Sequence, residues 1–496
     1  MNKSGFACGT WLFLRILAVI HAVAFISCWT QLDGLVGPHG LLPATRFFGV
    51  VHSQLGGRAF AELPSLCWLF GAGWFLHALC AIGVALALLL FAGVAPAPCL
   101  ALLWVCYLSL AGAGQIFFEF QWDSLLLETT LLAVFLAPWT LCPGWRLVEP
   151  PRLARWLLWW LLFRLMLLSG LVKLASGDPS WRHLTALTFH YETQPLPTPL
   201  AWYASQLPSW LQRLSCALMF VVELVAPFAL LAGRRLRHAA VLALIGLQVL
   251  IALTGNYTFF NFLGIALCFL CLDDAFFRRG QVEGRRGVPP RSSYETRRDA
   301  ASTFKLTPSA PSWLLRSFAT VVVFCTFVEA IADFVPSVAS ARPLAGLESA
   351  IAPFRSLNNY GLFAVMTTTR PELIFEGSDD GIEWQPYEFP HKPGDLARRP
   401  DFVAPHQPRL DWQLWFAALG SLDQNRWVIG LCEHILTGTP EVMSLFARNP
   451  FPAHPPRYIR VVRYEYHFTD AAERAATGNW WKRTMLDYYV PPARLN

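Results

Sequence analysis

Apolar stretches close to the length of a bilayer-spanning helix recur through the first two-thirds of the chain, and nothing else restricts the fold so strongly. About twenty apolar residues in a row, rising about 1.5 Å each, match the hydrocarbon thickness of a membrane. The runs fall at about 11–27, 66–91, 99–113, 117–139, 156–175, 211–231, 239–253, 257–272 and 313–335. They predict about nine transmembrane helices, the third and eighth short enough to merge or re-enter. The first run holds Arg15 and His21 and ends without a small-residue cleavage site, so it reads as a retained helix rather than a signal peptide. Composition excludes the main alternatives. Charged residues are 15% of the 496, where a soluble globular chain carries about 25%, which rules out an ordinary soluble enzyme. A disulfide scaffold is ruled out as well. Of the 12 cysteines, Cys67, Cys80, Cys99, Cys106, Cys216, Cys268, Cys271 and Cys325 lie in apolar runs, where cysteine packs as a small hydrophobe. The net charge of +6 is small and scattered and gives no basis for a nucleic-acid partner.

Orientation follows from the basic residues. With Lys3 cytoplasmic and nine spans threaded, three clusters fall on the cytoplasmic side. These are Arg146, Arg152 and Arg155; Arg234, Arg235 and Arg237; and the run from Arg278 to Arg298. The expected organisation is a helical membrane domain at 1–272, a cytoplasmic basic linker at 273–311 and a last transmembrane helix at 312–335. A periplasmic or lumenal β-rich domain follows at 336–496, on the same side as the loop 176–209. In that domain, 362–369, 372–376, 384–389 and the alternating 458–468 read as strands, Ser378-Asp-Asp-Gly381 as a hairpin turn and 410–421 as a helix. A β-sandwich-like domain is the most economical reading.

An ionisable residue inside a span costs about 2.5–3.5 kcal/mol on insertion scales, so each one calls for a partner or a function. Glu119, Asp123 and Glu128 lie in the fourth run, Arg164 and Lys173 in the fifth, and Glu223 in the sixth. Glu119 and Asp123 share a helix face. Arg164 and Lys173 point about 180° apart, so one acid cannot serve both and at least two separate pairs or networks are expected. Glu119, Arg164 and Glu223 are the candidates for a buried charge network. Either these charges fix helix register by pairing, or Lys173, near the non-cytoplasmic end of its span, serves as a base or substrate anchor. The loop that follows carries Trp181, His183, His190, Tyr191, Glu192, Gln194 and Trp202, and Pro195, Pro197 and Pro199 stiffen it into an extended path suited to binding a peptide. Its histidines match no metal-site spacing. Neither a metal nor a cofactor is expected, and no G-x-S-x-G, H-E-x-x-H or phosphate loop occurs.

Several long blocks resemble the lipase maturation factor family. They are Gln121-Trp-Asp-Ser-Leu-Leu-Leu-Glu128, Ser169-Gly-Leu-Val-Lys-Leu-Ala-Ser-Gly-Asp-Pro-Ser-Trp181, His190-Tyr-Glu-Thr-Gln-Pro-Leu-Pro-Thr-Pro199, Leu253-Thr-Gly-Asn-Tyr-Thr-Phe-Phe-Asn261, Phe375-Glu-Gly-Ser-Asp-Asp-Gly381 and Pro405-His-Gln-Pro-Arg-Leu-Asp-Trp-Gln-Leu-Trp-Phe-Ala-Ala-Leu419. The resemblance implies a polytopic membrane protein, resident in the ER in animals, that secreted homodimeric lipases need to reach an active, assembled state. It also implies a lumenal C-terminal domain that engages the client. This chain departs from the animal members in ending soon after Tyr488-Tyr-Val-Pro-Pro492 without an ER-retrieval signal, and its composition suits a bacterial cytoplasmic membrane.

A more distant likeness, carried by Gly170, Lys173 and Trp181, is to the membrane part of the vitamin K-dependent carboxylase superfamily. Two readings therefore stand. In the first, a non-enzymatic chaperone holds a secreted lipase or other exported protein at the bilayer, with Tyr191, Glu192, Gln194, Pro195, Arg409, Asp411 and Trp412 contacting the client. Against that surface, Arg409 and Asp411 can instead pair internally and the tail tryptophans lie in the core. In the second, a membrane enzyme uses Lys173 as base, assisted by Asp123, Glu128 or His190, on a lipid-soluble or peptide substrate.

Overall fold

The computed structural model describes residues 5–277, 310–332, 346 and 349–495. Most of the basic linker, with its arginines from 278 onward, lies outside the described residues. Among those described, seven helices are long and apolar enough to cross a membrane: α1 (Ala7–Trp29), α2 (Trp74–Ala92), α3 (Pro96–Ala113), α5 (Arg152–Ala175), α6 (Ser209–Leu230), α7 (Arg234–Thr254) and α9 (Ser312–Ala332). The fourth and eighth expected spans are shorter helices, α4 (Gln121–Leu136) and α8 (Phe260–Phe269). Ten residues rise only about 15 Å, half of a hydrocarbon core of about 30 Å. The second run begins later than its apolar residues suggest. Gly71, at φ +77°, breaks it, so that Cys67–Phe70 forms a separate turn.

The nine helices nevertheless alternate between two ends. At one end the backbone of Phe6 donates to Glu149 Oε2 at 2.8 Å, that of Cys8 to Asp274 Oδ1 at 2.8 Å, and Arg237 reaches Asp273 at 3.3 Å. The α2–α3 turn belongs there too. Gly93, left-handed at φ +78°, caps α2, and its carbonyl accepts from the Gly144 backbone at 3.1 Å; a Cβ would lie 2.2 Å from the Gly144 carbonyl. This end carries Arg146, Arg152, Arg155, Arg234, Arg235 and Arg237. The opposite end carries the loop 176–209 and the C-terminal domain. Helices α1, α3, α4 and α5 form the interior, while α6 lies at the periphery. Its residues Trp210, Leu214, Leu218, Val221, Val225 and Phe228 recur every three or four positions and are all exposed, a stripe shaped for lipid.

The C-terminal domain holds one four-stranded antiparallel sheet in the order β2-β1-β3-β4, formed by β1 (Pro371–Ser378), β2 (Gln385–Pro386), β3 (Tyr458–Phe468) and β4 (Trp481–Ala493). Among the described residues this sheet packs against helices α10 (Arg409–Leu419) and α11 (Trp427–Thr437) where a sandwich would place a second sheet. The reason is visible in β1, which is buried at every position. Leu373 and Phe375 join the main core with Leu410, Leu414 and Leu431, while Ile374 packs on the other side with Ala201, Trp202 and Trp481. A strand covered on both faces implies two layers, and here the layers are helical. The segment 362–369 is a turn and bend over 362–365 followed by irregular backbone rather than a strand, with Phe363 left-handed at φ +56°. The main core runs without interruption from the bundle into the C-terminal domain.

Candidate functional site

Asp123, Glu128, Arg164, Lys173 and Glu223, the buried charges expected to need partners, resolve into three ion pairs. Helix α4 supplies Asp123 and Glu128, about 140° apart around its axis, so each faces a different neighbour. Asp123 meets Arg409, the first residue of α10, in a two-pronged contact at 3.0 and 3.1 Å. Both side chains are 1% exposed. The Tyr107 hydroxyl also donates to Asp123, and the Arg409 guanidinium lies 3.4 Å from the Phe118 ring centroid. Glu128 pairs with Arg164 of α5, and accepts from the Tyr360 hydroxyl at 2.7 Å and the Asn358 amide at 3.3 Å. Arg164 in turn donates to the Asn358 carbonyl at 2.9 Å. The third pair is Lys173 of α5 with Glu223 of α6, whose two carboxylate oxygens both lie 2.8 Å from Nζ.

Each pair is completed or roofed by the C-terminal part of the chain. Arg409 supplies the cation of the first, and Asn358 and Tyr360 complete the second. The third lies beneath Trp181, whose ring centroid is 5.4 Å from Lys173 Nζ and whose indole N–H donates to the Phe363 carbonyl at 2.9 Å. Glu119 stands outside this network, contrary to expectation. It is exposed in the turn before α4, because Gln115, at φ +50°, and the short turn Gln115–Phe118 delay the start of the helix to Gln121.

The loop 176–209 is also built differently from the extended path expected. It folds into three short helices, Pro179–Arg182, Ala186–Thr193 and Pro199–Ser205, and Pro179 and Pro199 open two of them at the position where proline fits best. Residues 193–199 are buried. Arg370, itself fully buried, donates to the carbonyls of Glu192 at 2.6 Å, Gln194 and Pro195 at 2.9 Å, and to Glu372 at 2.9 Å. Lys392 approaches the other Glu372 oxygen at 3.1 Å. Glu192 accepts from His467 Nδ1 at 2.8 Å and from the Phe468 backbone at 2.7 Å.

The residues expected to face a client are therefore largely engaged inside the molecule. Tyr191 is half-buried against the small cluster around Trp202. Gln194 and Pro195 are covered. Asp411 accepts from the backbones of His391 and Lys392, both at 2.8 Å, and burial pushes its carboxyl above the usual range against the pull of His391 and those N–H groups. Trp412 packs edge-on against Trp122 at 4.6 Å. Arg409 pairs with Asp123 rather than with Asp411.

His190 stands apart from the Lys173 pair, with Nε2 3.3 Å from the Tyr257 hydroxyl. Burial, and secondarily the charge of Lys173, push it down to about 4. His183 is exposed. Among the described residues no three His, Cys, Asp or Glu side chains converge as metal ligands.

Further joints escaped the sequence reading. Asn256 donates to the Asp401 carbonyl at 2.7 Å and accepts from the backbones of Val403 and Ala404 at 2.7 and 3.0 Å. The backbone of Gln407 donates to Ser27 at 2.8 Å. Uncharged and ordinary in type, these residues give no signal until the two parts are seen together. What the arrangement does chemically is join: Asp123, Glu128, Arg164, Lys173 and Glu223 are each neutralised, and two regions far apart in sequence are locked into one body.

Comparison with known proteins agrees with this two-part build. Residues 8–279 match the family model of the lipase maturation factor transmembrane domain, and residues 356–491 that of the lipase maturation factor C-terminal domain. The chain is similar to lipase maturation factor 2 of Homo sapiens, 36% identical over 589 residues that cover 98% of this chain and 82% of that protein. Its similarity to lipase maturation factor 1 of Bos taurus is 36% over 512 residues, covering 97% and 88%. Lipase maturation factor 1 of Mus musculus is 35% identical over 502 residues, covering 97% and 86%. No solved structure matches the chain.

Proposed function

We propose, from the premise that this chain belongs to the lipase maturation factor family and is a multi-pass membrane protein, that it is a membrane-held chaperone for an exported lipase. The positive-inside rule assigns the arginine-rich end to the cytoplasm, which leaves the C-terminal domain on the side where an exported client emerges. The observation that carries the reading is the welded joint. Arg409 on Asp123, Tyr360 on Glu128 and Arg370 on the 192–195 carbonyls fix the C-terminal domain to the bundle as a rigid platform.

With the inner residues engaged, the client surface moves to the sheet edge. Among the described residues β4 pairs only with β3, and Met485, Leu486 and Tyr488 on it are exposed. Beside it, at the C-terminal end of α10, lies a cleft lined by Leu419, Gly420, Leu422 and Tyr488 and by the Arg463–Asp487 ion pair. An extended segment of a partly folded lipase adds to such an edge through backbone hydrogen bonds, with apolar side chains seated alternately in the cleft. Lys173 takes no chemical part in this reading, because its ammonium is engaged by both oxygens of Glu223.

The test is rescue. The chain is expressed with a secreted dimeric lipase in cells deficient in lipase maturation, and secreted activity is measured per unit of lipase mass. Rescue by the wild type and by Lys173→Arg at matched membrane levels is expected. Rescue by the wild type that is lost in Lys173→Arg, with the protein folded, would turn the reading toward chemistry at that lysine. Absence of any rescue would refute the lipase as client.

A further inference from the structure

At the end of the bundle opposite the C-terminal domain, one buried cation lacks what the others have. Arg164, Lys173 and Arg409 each meet a carboxylate, and so do Arg155 and Arg237 at the same end. Arg15, 6% exposed, makes no ion pair among the described residues. Its guanidinium donates to the carbonyls of Leu90 at 3.3 Å and Gly144 at 3.0 Å, and lies against the packed rings of Trp11 and Trp145, 5.3 and 5.2 Å from their centroids. The two carbonyls and the C-terminus of α2 offset part of the charge. They leave Arg15 Nε without a hydrogen-bond partner, and with it the buried hydroxyl of Thr10 and the indole N–H of Trp11.

All three residues line one shallow pocket, together with the exposed Arg146, Pro96 and Pro143, and no acidic residue lines it. Around its rim the α4–α5 link exposes Trp139, Leu141, Trp145 and Leu147, side chains that settle at the boundary of headgroups and acyl chains. A side chain on α1 leans toward the helix N-terminus, so Arg15 reaches from within the apolar run back toward that boundary.

We propose that this pocket binds the phosphate of an anionic phospholipid. The unpartnered Arg15 Nε–H, the Trp11 indole N–H and the Thr10 hydroxyl, with the exposed Arg146 guanidinium beside them, form the donor set, and the rim holds the acyl region. A zwitterionic headgroup matches less well, because its cation would meet two arginines and no acid. The site is independent of the client reading and of which compartment this end faces.

Native mass spectrometry of the full chain, purified in detergent and exposed to equal amounts of phosphatidylglycerol and phosphatidylcholine, tests it. Retention of phosphatidylglycerol over phosphatidylcholine by about tenfold is expected, with most of that preference lost in Arg15→Gln and part of it in Arg146→Gln. Arg146 is exposed, so its variant folds and keeps the test open even where Arg15→Gln does not. Equal retention of the two lipids, or an unchanged preference in both variants, would overturn the proposal. A third arm adds inorganic phosphate alone: displacement of the bound lipid at millimolar concentration would reassign the pocket to free phosphate and overturn the lipid assignment.

Discussion

Arg409 and Asp123 sit 286 positions apart and are both buried, which makes their pair the most exacting contact in the molecule. Removing one member strands the other charge in a dry interior, at a cost of about 3–5 kcal/mol, whereas replacing both with apolar residues is far milder. Arg409→Ala and Asp123→Ala are each expected to lower the thermal midpoint in detergent severely. The double Arg409→Ala, Asp123→Ala variant is expected to lose clearly less than the sum, and a strictly additive cycle would deny the coupling. Two histidines add a pH dependence. Burial lowers both His190 and His406 to about 4, the latter helped by the charges of His391 and Arg409. An unfolded histidine, with its ordinary value near 6.5, binds a proton that these folded ones refuse. Stability should therefore be complete above about pH 6.5 and decline as pH falls toward 4. A melting curve flat across that window would count against it, and His406→Gln should flatten part of the slope. The sequence could say that Asp123, Glu128, Arg164, Lys173 and Glu223 needed partners, because charge inside an apolar run is costly wherever it lies. It could not name Arg409 as one of them, since a partner that remote leaves no periodicity to read.

Elements were legible in proportion to how one-sided their burial is. β3 alternates along eleven residues and was readable to its ends, because its register is fixed against β1 and β4. β4 passed unnoticed: its middle is exposed on both faces, so no pattern of two marks it, and bulges interrupt its pairing. The same exposure makes it the place to test client contact. Met485→Lys adds a charge to the edge, a common natural guard against strand addition. It is expected to change stability by no more than about 0.5 kcal/mol, while lowering lipase rescue several-fold in the secreted-activity assay. Unchanged rescue would remove β4 from the client surface. A second element-level case is the turn after α2. Gly93→Ala would have to hold a left-handed backbone and place a methyl 2.2 Å from the Gly144 carbonyl. A loss of more than about 1 kcal/mol is expected on thermal melting.

At the scale of the whole molecule, sequence and structure agree on a bundle whose two ends differ in charge, and that asymmetry makes the threading testable with a native residue. Cys142 is the one exposed cysteine among the described residues and lies at the arginine-rich end, in the α4–α5 link. Ser421, exposed after α10, lies on the C-terminal domain at the other end. Lys and Arg near helix ends stay cytoplasmic during insertion, so the clusters at 146–155 and 234–237 should hold Cys142 inside. In sealed cells a membrane-impermeant thiol reagent should leave Cys142 unlabelled and modify Ser421→Cys, and permeabilisation should make Cys142 reactive. The reverse pattern would place the C-terminal domain in the cytoplasm. That outcome would separate it from any exported client and undo the chaperone reading, while the ion pairs that weld the two parts together would stand unchanged.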